Sequence, residues 1–112
     1  MRDEKILLED ILASIKIIED ALIKVSESEF KEDKILQGGI IWRLSIIGEA
    51  SKHVKKSLKN SHVEVDWRGI AGMRDFLIHE YFEIDMHIVW KTVKEDIPTL
   101  KKAVKDMLRK SD

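Results

Sequence analysis

Four side chains in one short apolar stretch could do chemistry: Arg74, Asp75, His79 and Tyr81 in "RDFLIHEYF", residues 74–82. A helix that could bury Phe76, Leu77 and Ile78 has no packing reason to interrupt itself with ionisable groups. A histidine titrates near neutrality, so it can take or deliver a proton while a phosphodiester is cleaved. An arginine can hold a phosphate through two parallel N–H groups and stabilise the charge that develops on it. Asp75 precedes His79 by four residues, a spacing at which side chains meet along a helix, so it can orient the imidazole. Packing offers an alternative, with Arg74 and Asp75 as an ion pair and His79 as a satisfied interfacial histidine, because structural ion pairs also fill clefts.

Helical geometry constrains the chemical reading. Ile70, Arg74, Leu77 and Tyr81 form one row, and Gly72, Asp75, His79 and Phe82 form the next. Arg74 and His79 are five residues apart, about 140° around an ideal helix, so they do not share a face. Either the helix distorts near His79, or a twofold axis sets it against its own copy and lines one cleft with both motifs. The apolar surplus of this segment favours the second arrangement.

Residue types narrow the reaction. There are no cysteines, which excludes thiol catalysis, thiolate metal sites and disulfides. "HEYFEIDMH" clusters His79, Glu80, Glu83, Asp85 and His87, but His87 lies beyond the expected helix end. The Glu-x-x-His pairs of di-iron bundles are missing, since Glu49 and His53 are four apart. What is left is metal-independent cleavage of RNA by its own 2'-hydroxyl, a nucleophile that DNA lacks. No cofactor is called for.

The elements that must position these residues can be read from apolar spacing. Leu8, Ile11, Ile15, Ile18, Leu22 and Val25 mark a first long helix. Ser28 can cap a second, expected from about Lys31 to Leu58, with Ile40, Leu44, Ile47, Val54 and Leu58 on one face. Gly38, Gly39 and Gly48 weaken that helix by roughly 1 kcal/mol each, and close helix approach would be a reason to keep them. Asp66 can cap a third helix from Trp67 to about Phe82, and Asp85 a fourth segment. Asp96 can cap a fifth, with Pro98 in its first turn, or the last two segments are one kinked helix. Trp42, Trp67 and Trp90 read as core residues by their spacing. The expectation is an all-α, antiparallel up-and-down bundle of four to five helices in a single domain, residues 1–112.

Composition agrees with that class. Apolar residues make up 44% and charged residues 37% of 112, with a net charge of -1, which suits a packed helical protein rather than a disordered one. No apolar run approaches the roughly 20 residues that span a bilayer, and "MRDEKILLED" is unlike a secretory signal, so no membrane association and a cytoplasmic location are expected. The segment "ASKHVKKSLKNSHV", residues 50–63, holds Lys52, Lys55, Lys56 and Lys59 and no acid. Such an island can follow a phosphate backbone or simply end a helix in solvent.

"MRDFLIHEYFEIDMHIVWKTVKEDIPTLKK", residues 73–102, resembles the signature of HEPN domains of the HepT-like toxin family. Arg74, four residues, His79, one residue and Tyr81 match its motif, and the upstream "IIGEASKHV" and "WRGIAGM" also look like family segments. The resemblance implies a HEPN-like helical homodimer, open to higher assembly with its partner, a small nucleotidyltransferase antitoxin of the MNT type. It implies ribonuclease activity with Arg74 and His79 as catalytic residues and adenylylation of Tyr81 by the antitoxin. Many family members carry asparagine after the arginine; here Asp75 adds a negative charge beside the phosphate site. The competing reading is a non-catalytic helical module that binds RNA or a nucleotide and acts through the nucleotidyltransferase.

Overall fold

Asp3 accepts the N–H of Lys5 and starts α1 (Glu4–Leu22). The computed structural model describes residues 3–80 and 83–110. After α1 come α2 (Glu27–Glu32), α3 (Lys34–Lys52), α4 (Lys56–Asn60), α5 (Trp67–His79), α6 (Met86–Lys91) and α7 (Ile97–Lys110), with a π-helical turn, Thr92–Asp96, joining α6 to α7. No strand occurs among the described residues. The expected all-α bundle is what forms.

The single helix expected from Lys31 to Leu58 is three helices. Ser26, not Ser28, caps the first: its hydroxyl accepts the Glu29 N–H while the Glu29 carboxylate accepts the Ser26 N–H. Asp33 then leaves the helical conformation and accepts the Leu36 N–H, so the chain stops and restarts there. Beyond His53, Val54 is buried and Lys55 takes an extended conformation before α4 begins.

The expectation for Asp96 is also corrected. Asp96 is the last residue of the π turn rather than an N-cap, and the backbone stays helical from Met86 to Lys110. The Ile97 N–H donates to the carbonyl of Thr92, five residues back. Two causes are visible in the sequence. Pro98 has no N–H for an α-helical bond and would crowd the carbonyl four residues before it. The buried residues Val89, Val93 and Ile97 step by 4 and 4, which in an unbroken α-helix would rotate the stripe by about 80°. The wider π turn cancels that drift, and Leu100, Val104 and Met107 continue the buried face.

The core is the meeting of these stripes: Leu8, Ile11, Ile15 and Ile18 from α1, Ile40, Leu44 and Ile47 from α3, and the C-terminal stripe. Helix α5 lies mainly against α3 and buries only Ile70 and Leu77 of its own residues. Trp67 and Trp90 are half-buried against the core, with Trp90 beside Phe30. Trp42 is 61% exposed, contrary to the core position expected of it.

Candidate active site

Gly48 determines where Arg74 sits. A Cβ there would stand 2.8 Å from the Ile70 carbonyl oxygen and 3.3 Å from the Arg74 Cβ, so the α3 and α5 backbones touch at this point. Close approach therefore explains Gly48. It does not explain Gly38 or Gly39, where a Cβ would meet nothing within 4 Å. Asp66 fixes the start of α5 by accepting the Gly69 N–H, and its carboxylate occupies the space a side chain at 69 would need.

Held against α3, the half-buried Arg74 side chain reaches two carboxylates. Its Nε lies 3.2 Å from Glu49 Oε1, and its Nη1 donates to Asp75 Oδ1 at 3.1 Å. Lys52 joins the same two acids, with Nζ 3.8 Å from Glu49 Oε1 and 3.5 Å from Asp75 Oδ2. Arg74, Glu49, Lys52 and Asp75 thus form a closed ring of alternating charge. His53 extends it, with Nε2 3.2 Å from Glu49 Oε2. The Lys52 ammonium, with help from Arg74, holds the Asp75 carboxyl below the usual carboxylate range.

The expected Asp75–His79 pair is not made. Asp75 is turned instead toward the Lys52 ammonium and the Arg74 guanidinium, whose positive charges attract its carboxylate. His79 is the last residue of α5 and is exposed, and its side chain has no hydrogen-bond partner among the described residues. So one half of the packing alternative is seen: Arg74 and Asp75 are ion-paired. Arg74 and His79 lie on different faces, as their spacing requires. Tyr81 and Phe82 lie outside the described residues.

The acid-rich segment after α5 is used structurally. Asp85 caps α6 by accepting the His87 N–H, and His87 Nδ1 sits 2.6 Å from Glu27 Oε2. Among the described residues, no three histidine or carboxylate side chains gather as a metal-ligand set. A cleft of about 820 Å³ lies away from Arg74, between the 61–66 connection and α7, lined by His62, Glu64, Pro98, Lys102, Asp106 and Arg109 among others.

Sequence reading missed Glu49 and Lys52 as partners of Arg74. The usable signal was their spacing: Glu49, Lys52 and His53 fall at i, i+3 and i+4, one polar face immediately after Gly48.

Residues 11–107 match the model of the family described as "Ribonuclease HepT-like". A Thermococcus cleftensis protein described as "Probable ribonuclease HepT" is 48% identical over 100 residues, covering 89% of this chain and 91% of its own. One from Caldanaerobacter subterraneus, described as a "Putative RNase", is 39% identical over 110 residues and 98% of both chains. No solved structure matches. No described helix is long and apolar enough to cross a membrane.

Proposed function

This chain belongs to the HepT-like ribonuclease family, and from that premise we propose that it is the toxin of a HEPN/MNT toxin–antitoxin pair, a metal-independent endoribonuclease. The reaction is transesterification. The 2'-hydroxyl gives up its proton to a base, its oxygen bonds to phosphorus, the P–O5' bond breaks and the departing oxygen is protonated. A 2',3'-cyclic phosphate remains. His79 serves as the proton-transfer group and Arg74 as the phosphate clamp.

The observation that carries this reading is the placement of His79. It is exposed and has no described partner, three residues from Phe76, which is 49% exposed on the same side of a helix packed mainly along α3. A second copy that covered Phe76 would bring His79 into the same interface and supply the convergence with Arg74 that one helix cannot. Ile35 and Trp42, 90% and 61% exposed on one stripe of α3, add apolar surface for such a homodimer. In sedimentation, the protein should run as a dimer at micromolar concentration, and Phe76→Glu should shift it toward monomer. A wild-type monomer under those conditions would exclude the shared site.

Incubation with labelled RNA in EDTA tests the reaction itself. Wild type should cut and leave cyclic phosphate ends, while His79→Ala should lose about 100-fold or more, the usual scale for a missing acid–base group. Activity that EDTA abolishes and a divalent ion restores would replace this mechanism with a metal-dependent one. One observation favours the non-catalytic binding module: Arg74 is already paired with two carboxylates through Nε and Nη1. RNA bound but never cut, by wild type and an Arg74→Ala, His79→Ala double variant alike, would establish that reading.

Regulation by the partner follows from the same resemblance. A nucleotidyltransferase would move AMP from ATP to the Tyr81 hydroxyl: the phenol gives up its proton to a base, its oxygen bonds to the α-phosphorus and pyrophosphate leaves. The added phosphate would compete for Arg74 and its base would obstruct the cleft between the two copies. After co-expression with the nucleotidyltransferase, intact mass should rise by AMP units, and Tyr81→Phe should remove the increase. An inhibited protein of unchanged mass would mean silencing by binding alone.

A further inference from the structure

We propose that Lys52 is a positioning residue for RNA, one that shares Asp75 and Glu49 with Arg74 and so keeps a second cation beside both carboxylates when a phosphate is admitted at Arg74; this rests on the ribonuclease reading above. The warrant is the closed ring. Glu49 Oε1 is shared by Arg74 and Lys52, and the two oxygens of Asp75 are divided between the same two cations. Two positive and two negative side chains leave the ring neutral. Both carboxylates already touch Arg74, at 3.2 and 3.1 Å. Without Lys52 the acids of the ring would outnumber its cations, and an incoming phosphate would have to displace both carboxylates with no second ring cation to receive them.

The placement of Lys52 supports this role. It is the last residue of α3, four residues beyond Gly48, so the close contact between helices that fixes Arg74 also fixes the reach of Lys52 to Asp75. Lys59 donates from Nζ to the Lys52 carbonyl at 3.4 Å, a link between α4 and the end of α3. Lys52 therefore heads the acid-free segment that continues through Lys55, Lys56 and Lys59. A carboxylate at position 75 is tolerable beside a phosphate site because Lys52 answers it.

A surface lysine that only adds positive charge would contribute equally whatever stood at position 75. A lysine that manages Asp75 would not. The test is a double-variant cycle with Lys52→Gln, Asp75→Asn and both together, at about 0.15 M salt, where the Debye length is about 8 Å. It reads the dissociation constant for an uncleavable 2'-O-methyl RNA and kcat/KM for a cleavable one. Lys52→Gln should weaken RNA binding about 10-fold when Asp75 is present and no more than about 2-fold in the Asp75→Asn background, with the loss in KM rather than kcat. Lys52→Arg should retain the wild-type values. Equal losses in both backgrounds would make Lys52 one more surface cation and overturn the inference while leaving the ribonuclease reading intact. A wild-type protein that neither binds nor cuts RNA would overturn the ribonuclease reading and this inference with it.

Discussion

At the scale of single residues, the site is an exercise in competing charges. Arg74 is planar and offers paired N–H groups, which is why two carboxylates can share it and why a phosphate could replace them. Lysine at that position would keep the charge and lose the fork. Arg74→Lys should therefore lower kcat/KM by about 10-fold or more while changing stability little, because ion pairs as exposed as these contribute at most about 1 kcal/mol. Steady-state kinetics beside a thermal melt checks both halves; a large fall in Tm with unchanged kcat/KM would mark Arg74 as structural. Acid acts on the same ring. The Asp75 carboxyl is held below its ordinary value, chiefly by Lys52, so its interaction is present above the ordinary carboxylate range and is lost as pH falls through the depressed value. The ring is thus intact throughout neutral pH, where His79 would have to work.

At the scale of elements, what matters is how closely α3 and α5 approach. Gly48→Ala would push a methyl group into the Ile70 carbonyl, and backbone there cannot yield as a flexible side chain could. The variant should lose about 1–3 kcal/mol in a denaturant titration and lose activity even where it remains folded, because Arg74 moves with its helix. Gly38→Ala, with open space at its Cβ, should instead gain up to about 1 kcal/mol. Equal effects at the two positions would refute close packing as the reason for Gly48. The same contrast shows what could be read from sequence. Apolar spacing found the buried faces of α1, α3 and the C-terminal helix, and Asp66 and Asp85 cap where local chemistry said they could. It could not separate three glycines by role, since that depends on which neighbour lies opposite. It also misplaced the cap at Asp96, because a π turn keeps the chain helical past a proline by changing the number of residues per turn. Of the candidate site, the placement of Arg74 and His79 on different faces of one helix was legible from their spacing. Glu49 and Lys52 were not, because their relation to Arg74 exists only once α3 and α5 touch.

At the scale of the whole molecule, one polar contact ties the 61–66 connection to the C-terminal helix across 44 residues of sequence: His62 Nε2 lies 2.9 Å from Asp106 Oδ2. His62 is buried, and its Nδ1 faces the Leu58 carbonyl at 3.2 Å. Both ring nitrogens therefore face acceptors, an arrangement that only the doubly protonated imidazolium satisfies. The Asp106 carboxylate raises the His62 pKa most, the Leu58 carbonyl and nearby Glu64 add to it, and burial opposes them. Arg109 and Lys110 reach the same carboxylate from α7 and share it. Because the folded value is raised, the stabilisation is fully present below the unfolded value, near 6.5, and is lost as pH rises through the folded one. The connection that leads into α5 also hangs on this residue, since Trp67 Nε1 donates to the His62 carbonyl at 3.1 Å. His62→Gln removes the titrating group. The stability gap between wild type and this variant should be on the order of 1–2 kcal/mol at about pH 5.5 and should shrink by about pH 9, as expected of a charge-assisted hydrogen bond that loses its charge. Denaturant titrations of both proteins across that range would show it. A gap that stayed constant with pH would mean that His62 fills space and that its proton contributes nothing to holding the bundle closed.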